Sequence, residues 1–85
     1  MNQSTTEYHV ASFVAQVVPT QVTSIKAQIN AVEGGEVHTS SDQGKIVFTI
    51  ESQIQRNIAD KAESIKHLPG VLTVAPVYHQ YLTEE

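Results

Sequence analysis

The 85-residue chain carries nine Asp and Glu against five Lys and Arg, which gives a formal net charge of −4 with neutral histidines. This acidic excess disfavours contact with nucleic-acid phosphates, and the absence of cysteine excludes disulfides and thiolate metal sites. No apolar run reaches the ~18 residues of a membrane span, and the polar start MNQSTT lacks the apolar segment of a secretory signal. We therefore expect one soluble, cytoplasmic domain over residues 1–85, with flexible ends at 1–6 and 81–85.

The chain opens with a predicted strand over residues 8–18, which are rich in β-branched and apolar side chains. Alternation gives this strand two faces, with Ala11, Phe13, Ala15 and Val17 on one side and Val10, Ser12, Val14 and Gln16 on the other. Pro19 then favours a helix start, with Thr20 as the N-cap. The helix is predicted over residues 20–32, and its apolar stripe is Val22, Ile25, Ile29 and Val32.

A hairpin is predicted next, because Gly34-Gly35 ends the helix and two short strands follow at residues 36–39 and 45–51. The second of these strands alternates between Ile46, Phe48 and Ile50 on one face and Lys45, Val47, Thr49 and Glu51 on the other.

A second helix and a last strand complete the chain. Ser52 and Gln55 have the spacing of a capping box at the start of the helix, and Pro69-Gly70 ends it. The predicted apolar stripe of this helix is Ile54, Ile58, Ala62, Ile65 and Leu68. The last strand covers residues 71–79 and alternates between Leu72, Val74, Pro76 and Tyr78 and the set Thr73, Ala75, Val77 and His79.

The element order is β-α-β-β-α-β, and each helix has a single apolar stripe, so both helices can cover the same face of one sheet. Right-handed crossovers then favour an α+β, ferredoxin-like fold with a four-stranded antiparallel sheet in the order 4-1-3-2. We expect the bulkier strand faces, including Leu72 and Tyr78, to point towards the helices.

The other side of the sheet is left without a helix. Its centre is predicted to hold small apolar side chains, Val14, Val47, Ala75 and Val77, inside a polar rim. An exposed apolar patch with a polar rim indicates a docking surface. The alternative is that valine and threonine occur here only because of their high strand propensity.

Catalytic and metal-binding patterns are absent from the sequence. The histidines, His9, His38, His67 and His79, show no zinc-ligand spacing, and no serine or threonine has a partnered base. Neither a P-loop nor GxGxxG occurs. Aromatic side chains that could stack on RNA are predicted to point inward, at Phe13 and Phe48. We therefore expect no enzyme activity, cofactor, metal or nucleic-acid partner.

Several segments, taken in order, resemble the NapD family over about residues 8–80. They are Ser12 before an apolar run, Pro19, Gly34-Gly35-Glu36-Val37, Gly44-Lys45-Ile46-Val47, Gly70-Val71-Leu72 and Val77-Tyr78-His79. Phe13 and Ala15 depart from the more usual aliphatic pair of that family, but both are predicted core positions.

This resemblance implies a cytoplasmic chaperone with a ferredoxin-like fold. Such proteins bind the twin-arginine signal peptide of NapA, the catalytic subunit of periplasmic nitrate reductase, and hold back export until the molybdenum cofactor is inserted. From the assignment of faces, we expect the apolar part of the peptide to lie on Val14, Val47, Ala75 and Val77. Glu36, Glu51 and Glu84-Glu85 would attract the arginine pair. The predicted peptide-binding residues are Val10, Ser12, Val14, Gln16, Glu36, Val47, Thr49, Glu51, Thr73, Ala75, Val77 and His79.

Two other functions stay open at this point. A regulatory or small-molecule-binding module of the ACT type would have the same fold and would pair edge to edge as a dimer, whereas the chaperone is expected to be a monomer. An enzyme would need a pocket with convergent polar groups, and the sequence offers no pattern for one.

Overall fold

The computed structural model describes residues 9–78, and at Tyr78 the backbone alone. A 3-10 turn at Pro19–Gln21 precedes the first α-helix. In chain order the strands and α-helices are β1 (His9–Val17), α1 (Val22–Ala31), β2 (Gly35–Ser40), β3 (Lys45–Ser52), α2 (Gln55–Lys66) and β4 (Val71–Tyr78).

The four strands form one sheet in the order β2-β3-β1-β4, and every neighbouring pair is antiparallel. Read from the other edge, this is the predicted order 4-1-3-2. The sheet, its order and the two helices confirm the ferredoxin-like prediction.

The hydrophobic core lies between one face of the sheet and both helices. At its centre Phe13 of β1 stacks on Phe48 of β3, with ring centroids 5.4 Å apart and planes inclined by 20°. These two rings are opposite each other in the β1–β3 register, so they fix how the two central strands meet the helices. The buried residues are Ala11, Phe13, Ala15, Val17, Ile25, Ile29, Ile46, Phe48, Ile50, Ile58 and Ile65.

Both predicted helix caps are wrong. The helical segment begins with the 3-10 turn, and neither Val18 before the turn nor Gln21 before α1 makes a side-chain cap, so Thr20 is not the N-cap. Ser52 is still paired with His9 in the sheet, and its hydroxyl accepts a hydrogen bond from the Ile54 backbone N–H at 3.1 Å. The Ser52 side chain therefore shapes the turn before α2 instead of capping the helix.

Two predicted core residues are also exposed. Ile54 precedes α2 and is 56% exposed, because the helix starts one residue later than its apolar stripe suggests. Leu72 is 61% exposed because a β-bulge shifts the register: Val17 faces Val71, whereas Gln16 faces Thr73. Val71 consequently packs against the core in place of Leu72.

A Gly34→Ala variant is expected to lose about 2 kcal/mol or more of unfolding free energy. Gly34 has φ +85°, and a Cβ at this position would overlap the carbonyl oxygen of Glu51. Gly34 also accepts a hydrogen bond from the Glu51 N–H at 2.9 Å, so the strain would fall on the α1–β2 connection. Urea denaturation followed by far-UV circular dichroism measures the loss. The exposed neighbour variant Glu33→Ala should change stability by less than about 0.5 kcal/mol, and equal stabilities would contradict the prediction.

Candidate functional site

The side of the sheet away from α1 and α2 is called the open face. On β1 its residues are Val10, Ser12, Val14 and Gln16, which alternate with the buried residues of the same strand. None of these four belongs to the core cluster. The alternation predicted from the sequence is therefore confirmed for the strand at the middle of the site.

An apolar row crosses the centre of the open face. Val14 of β1 lies opposite Val47 of β3 on one side and opposite Ala75 of β4 on the other. Val14 and Val47 are half-buried and Ala75 is exposed. Because paired residues in antiparallel strands lie about 4.5–5.5 Å apart, the three side chains form one continuous strip. The apolar row of Val47, Val14 and Ala75 is thus a shallow, aliphatic floor.

A polar row borders this floor. Ser12 lies opposite Thr49, and Thr49 lies opposite Glu36 of the edge strand β2. His38 reaches the same row, because its Nε2 is 2.8 Å from Thr49 Oγ1. This row can contribute hydrogen bonds to a partner that lies on the apolar row.

The two ends of the open face carry opposite charges. At one end Glu51 of β3 lies opposite Val10, close to Glu36. At the other end Lys45 of β3 lies opposite Gln16, and Gln16 donates a hydrogen bond to the Gln43 carbonyl at 3.2 Å. All three charged side chains are exposed. A partner with a basic end and an apolar remainder would match this arrangement in one direction.

The structure brings most predicted site residues together. Thr73 lies opposite Gln16 on the open face, and Val77 is 54% exposed at a second register shift, where Ser12 faces Tyr78 and Phe13 faces Pro76. His79 and Glu84-Glu85 lie outside the described residues. A role of this set in binding stays a prediction.

Sequence reasoning missed two apolar residues at the Gln16 end of the sheet. Leu72 is 61% exposed and Val18 is 37% exposed, and the backbone N–H of Val18 bonds to the Gly70 carbonyl next to β4. Nothing in the sequence marks the bulge, because Val71 and Leu72 are equally apolar and either could fill the core.

Both edges of the sheet are obstructed. On β2 the outward N–H of Val37 donates to Asn30 Oδ1 at 2.9 Å, and the N–H of Gly35 donates to the Val32 carbonyl at 2.8 Å. On β4 Pro76 has no N–H to offer. An added strand at either edge would meet these interruptions, which disfavours the edge-to-edge pairing of an ACT-type dimer.

Over residues 9–78, no group of three or more His, Cys, Asp and Glu side chains could hold a metal ion. No helix in that part of the chain combines the length and the apolar character needed to cross a membrane.

A family model described as NapD protein matches residues 8–83. This chain belongs to the NapD family. Chaperone NapD of Escherichia coli K12 is 33% identical over 76 residues, which cover 88% of this chain and 87% of that protein. Chaperone NapD of Haemophilus influenzae is 32% identical over 75 residues, which cover 87% of this chain and 81% of that protein.

The fold agrees with a NapD protein of known structure. The solution structure of the E. coli Tat proofreading chaperone protein NapD superposes with a TM-score of 0.81 at 31% sequence identity, covering 94% of this chain and 85% of that one. Membership of the NapD family, which the sequence resemblance predicts, is therefore confirmed. The open face described above belongs to a NapD fold, and the NapD relatives are named as chaperones.

Proposed function

We propose that this chain is a monomeric, cytoplasmic chaperone that binds the twin-arginine signal peptide of NapA, the catalytic subunit of periplasmic nitrate reductase. While bound, the peptide is withheld from export until the molybdenum cofactor is inserted. The chain acts by binding and performs no chemistry.

The observation that carries this proposal is the apolar row of Val47, Val14 and Ala75 on a sheet face without helices. A twin-arginine signal has a basic pair followed by an apolar stretch, and an apolar stretch can fold as a helix when it lies on an apolar surface. A helix about 10 Å wide fits across this floor with its side chains on the row. Membership of the NapD family supports the same assignment.

The acidic end of the open face supplies the matching charge for the arginine pair. Glu36 and Glu51 are both exposed, so each ion pair with an arginine contributes only about 0–1 kcal/mol. These carboxylates therefore orient the peptide and speed its association, while the apolar row provides most of the affinity.

Isothermal titration calorimetry with the NapA signal peptide, beside a twin-lysine version, tests the proposal. We expect saturable binding of the twin-arginine peptide and binding of the twin-lysine peptide that is weaker by a few-fold, since lysine cannot make bidentate bonds to a carboxylate. The amide NMR signals of Val14, Val47 and Ala75 should shift on titration. No heat and no shift with either peptide would contradict the proposal.

A further inference from the structure

The most exposed large hydrophobic side chain of residues 9–78 is Leu72, at 61%. It lies inside strand β4 and not in a loop or at a chain end. A leucine within a strand normally packs on one face of the sheet, so the exposure of Leu72, the second residue of β4, has a specific structural cause.

That cause is the β-bulge at the start of β4. Opposite β1, Val71 faces Val17 and Thr73 faces Gln16, so Leu72 is an extra residue without its own partner. Val71 packs against the core, whereas Leu72 is outside it. A bulge breaks strict alternation, so Leu72, which is exposed and outside the core, can share the side of its neighbour Thr73, which is the open face. Bulges commonly re-aim a side chain in this way.

Leu72 extends the apolar row along β4. Thr73 and Ala75 follow it on the same strand, and Ala75 is part of the apolar row. Val18, 37% exposed, continues β1 next to this corner and bonds through its N–H to the Gly70 carbonyl. Leu72 and Val18, both exposed and both next to the Gln16 end of the open face, are called the aliphatic corner.

We propose that Leu72 is an anchor for the apolar stretch of the bound peptide and inserts between aliphatic side chains of that peptide. This inference rests on the proposed function and adds a contact residue to the same site. The corner is at the end of the face remote from Glu36 and Glu51. A peptide whose arginine pair meets those carboxylates places its apolar part towards Leu72. Leu72 is a large and mostly exposed apolar side chain, so covering it with the peptide removes more apolar surface from water than covering the small Ala75 does.

The test compares three variants by calorimetry with the NapA signal peptide. Leu72→Ala is expected to raise Kd about tenfold, which corresponds to about 1.4 kcal/mol. Leu72→Met should bind within about twofold of wild type, because methionine has a similar volume and can adapt to the same contacts. Ile54→Ala is the matched control: Ile54 is 56% exposed but lies at the start of α2, away from the open face, so its Kd should not change. Urea denaturation checks that all three variants remain folded.

The outcomes separate this inference from the proposed function. A wild-type chain that binds the peptide, together with a Leu72→Ala variant of equal Kd, would overturn the anchor and leave the chaperone proposal standing. A wild-type chain that binds no signal peptide would overturn both. Sedimentation velocity without peptide tests whether Leu72 instead contacts a second copy of this chain. If the wild type were a dimer that Leu72→Ala dissociates, and the peptide affinity were unchanged, Leu72 would belong to that dimer contact and the anchor would be overturned.

Discussion

Replacing Val47 with aspartate is expected to abolish binding of the signal peptide, with Kd rising by about 100-fold or more. Val47 is the β3 member of the apolar row, opposite the central Val14, and it is half-buried even without a bound peptide. A peptide lying on the row would cover the new carboxylate and remove its water. An unpaired charge buried in this way costs several kcal/mol, more than the remaining apolar contacts can offset. Calorimetry with the twin-arginine peptide measures the change.

Two controls separate loss of the site from loss of the fold. Val47→Thr keeps the β-branched shape without the charge and should weaken binding far less than Val47→Asp. Thr23→Asp adds the same charge on an exposed position of α1, away from the open face, and should leave Kd unchanged. If folded Val47→Asp bound the peptide as tightly as wild type, the open face would not be the binding site.

Truncating Phe48 to alanine is expected to remove about 3–5 kcal/mol of unfolding free energy. The Phe48 side chain is fully buried and stacks on Phe13, so its removal leaves a cavity between the two central strands and the helices. A small domain has a total stability of only about 5–15 kcal/mol, so this variant is expected to be partly unfolded at 37 °C. Urea denaturation followed by far-UV circular dichroism gives the value.

Phe48→Leu is the matched control, because leucine keeps most of the buried volume. It should lower the free energy of unfolding clearly less than Phe48→Ala does. A loss below about 1 kcal/mol for Phe48→Ala would show that the core closes over the missing ring. The Phe13–Phe48 stack would then not be the centre of packing.

Strand and helix periodicity predicted the fold well, because it reports which side chains are removed from water. The alternation of Phe13 and Ala15 with Val14 and Gln16 on β1 specified both faces of the central strand. The spacing of Ile25 and Ile29 likewise identified the stripe of α1 that enters the core. Because each helix has only one apolar stripe, both helices are expected to pack on the same face of the sheet in a two-layer arrangement.

Local hydrogen bonding was not predictable in the same way. Ser52 has the sequence spacing of a capping residue, yet it stays in the sheet opposite His9 and bonds to the N–H of Ile54. Which backbone N–H a serine hydroxyl meets depends on where the strand ends, and strand ends depend on pairing with another part of the chain. The same limit applies to Thr20, which falls within a 3-10 turn.

The candidate site was predictable in its centre but not at its corner. Simple alternation placed Val14 and Val47 on the open face. Simple alternation predicts Leu72 in the core, but one extra residue in β4 puts Val71 there instead, and this bulge is fixed by how β4 aligns with β1. The hydrogen bond between His38 and Thr49 was likewise missed, since it depends on the register shift in β2 between Val37 and Thr39.

The obstructed edges have a consequence for unloaded molecules. Asn30 occupies the outward N–H of Val37 on β2, and Pro76 removes one N–H from β4, so neither edge offers an uninterrupted set of backbone groups to another strand. The chain can therefore keep an uncovered aliphatic sheet face for its partner without also exposing an edge that favours aggregation.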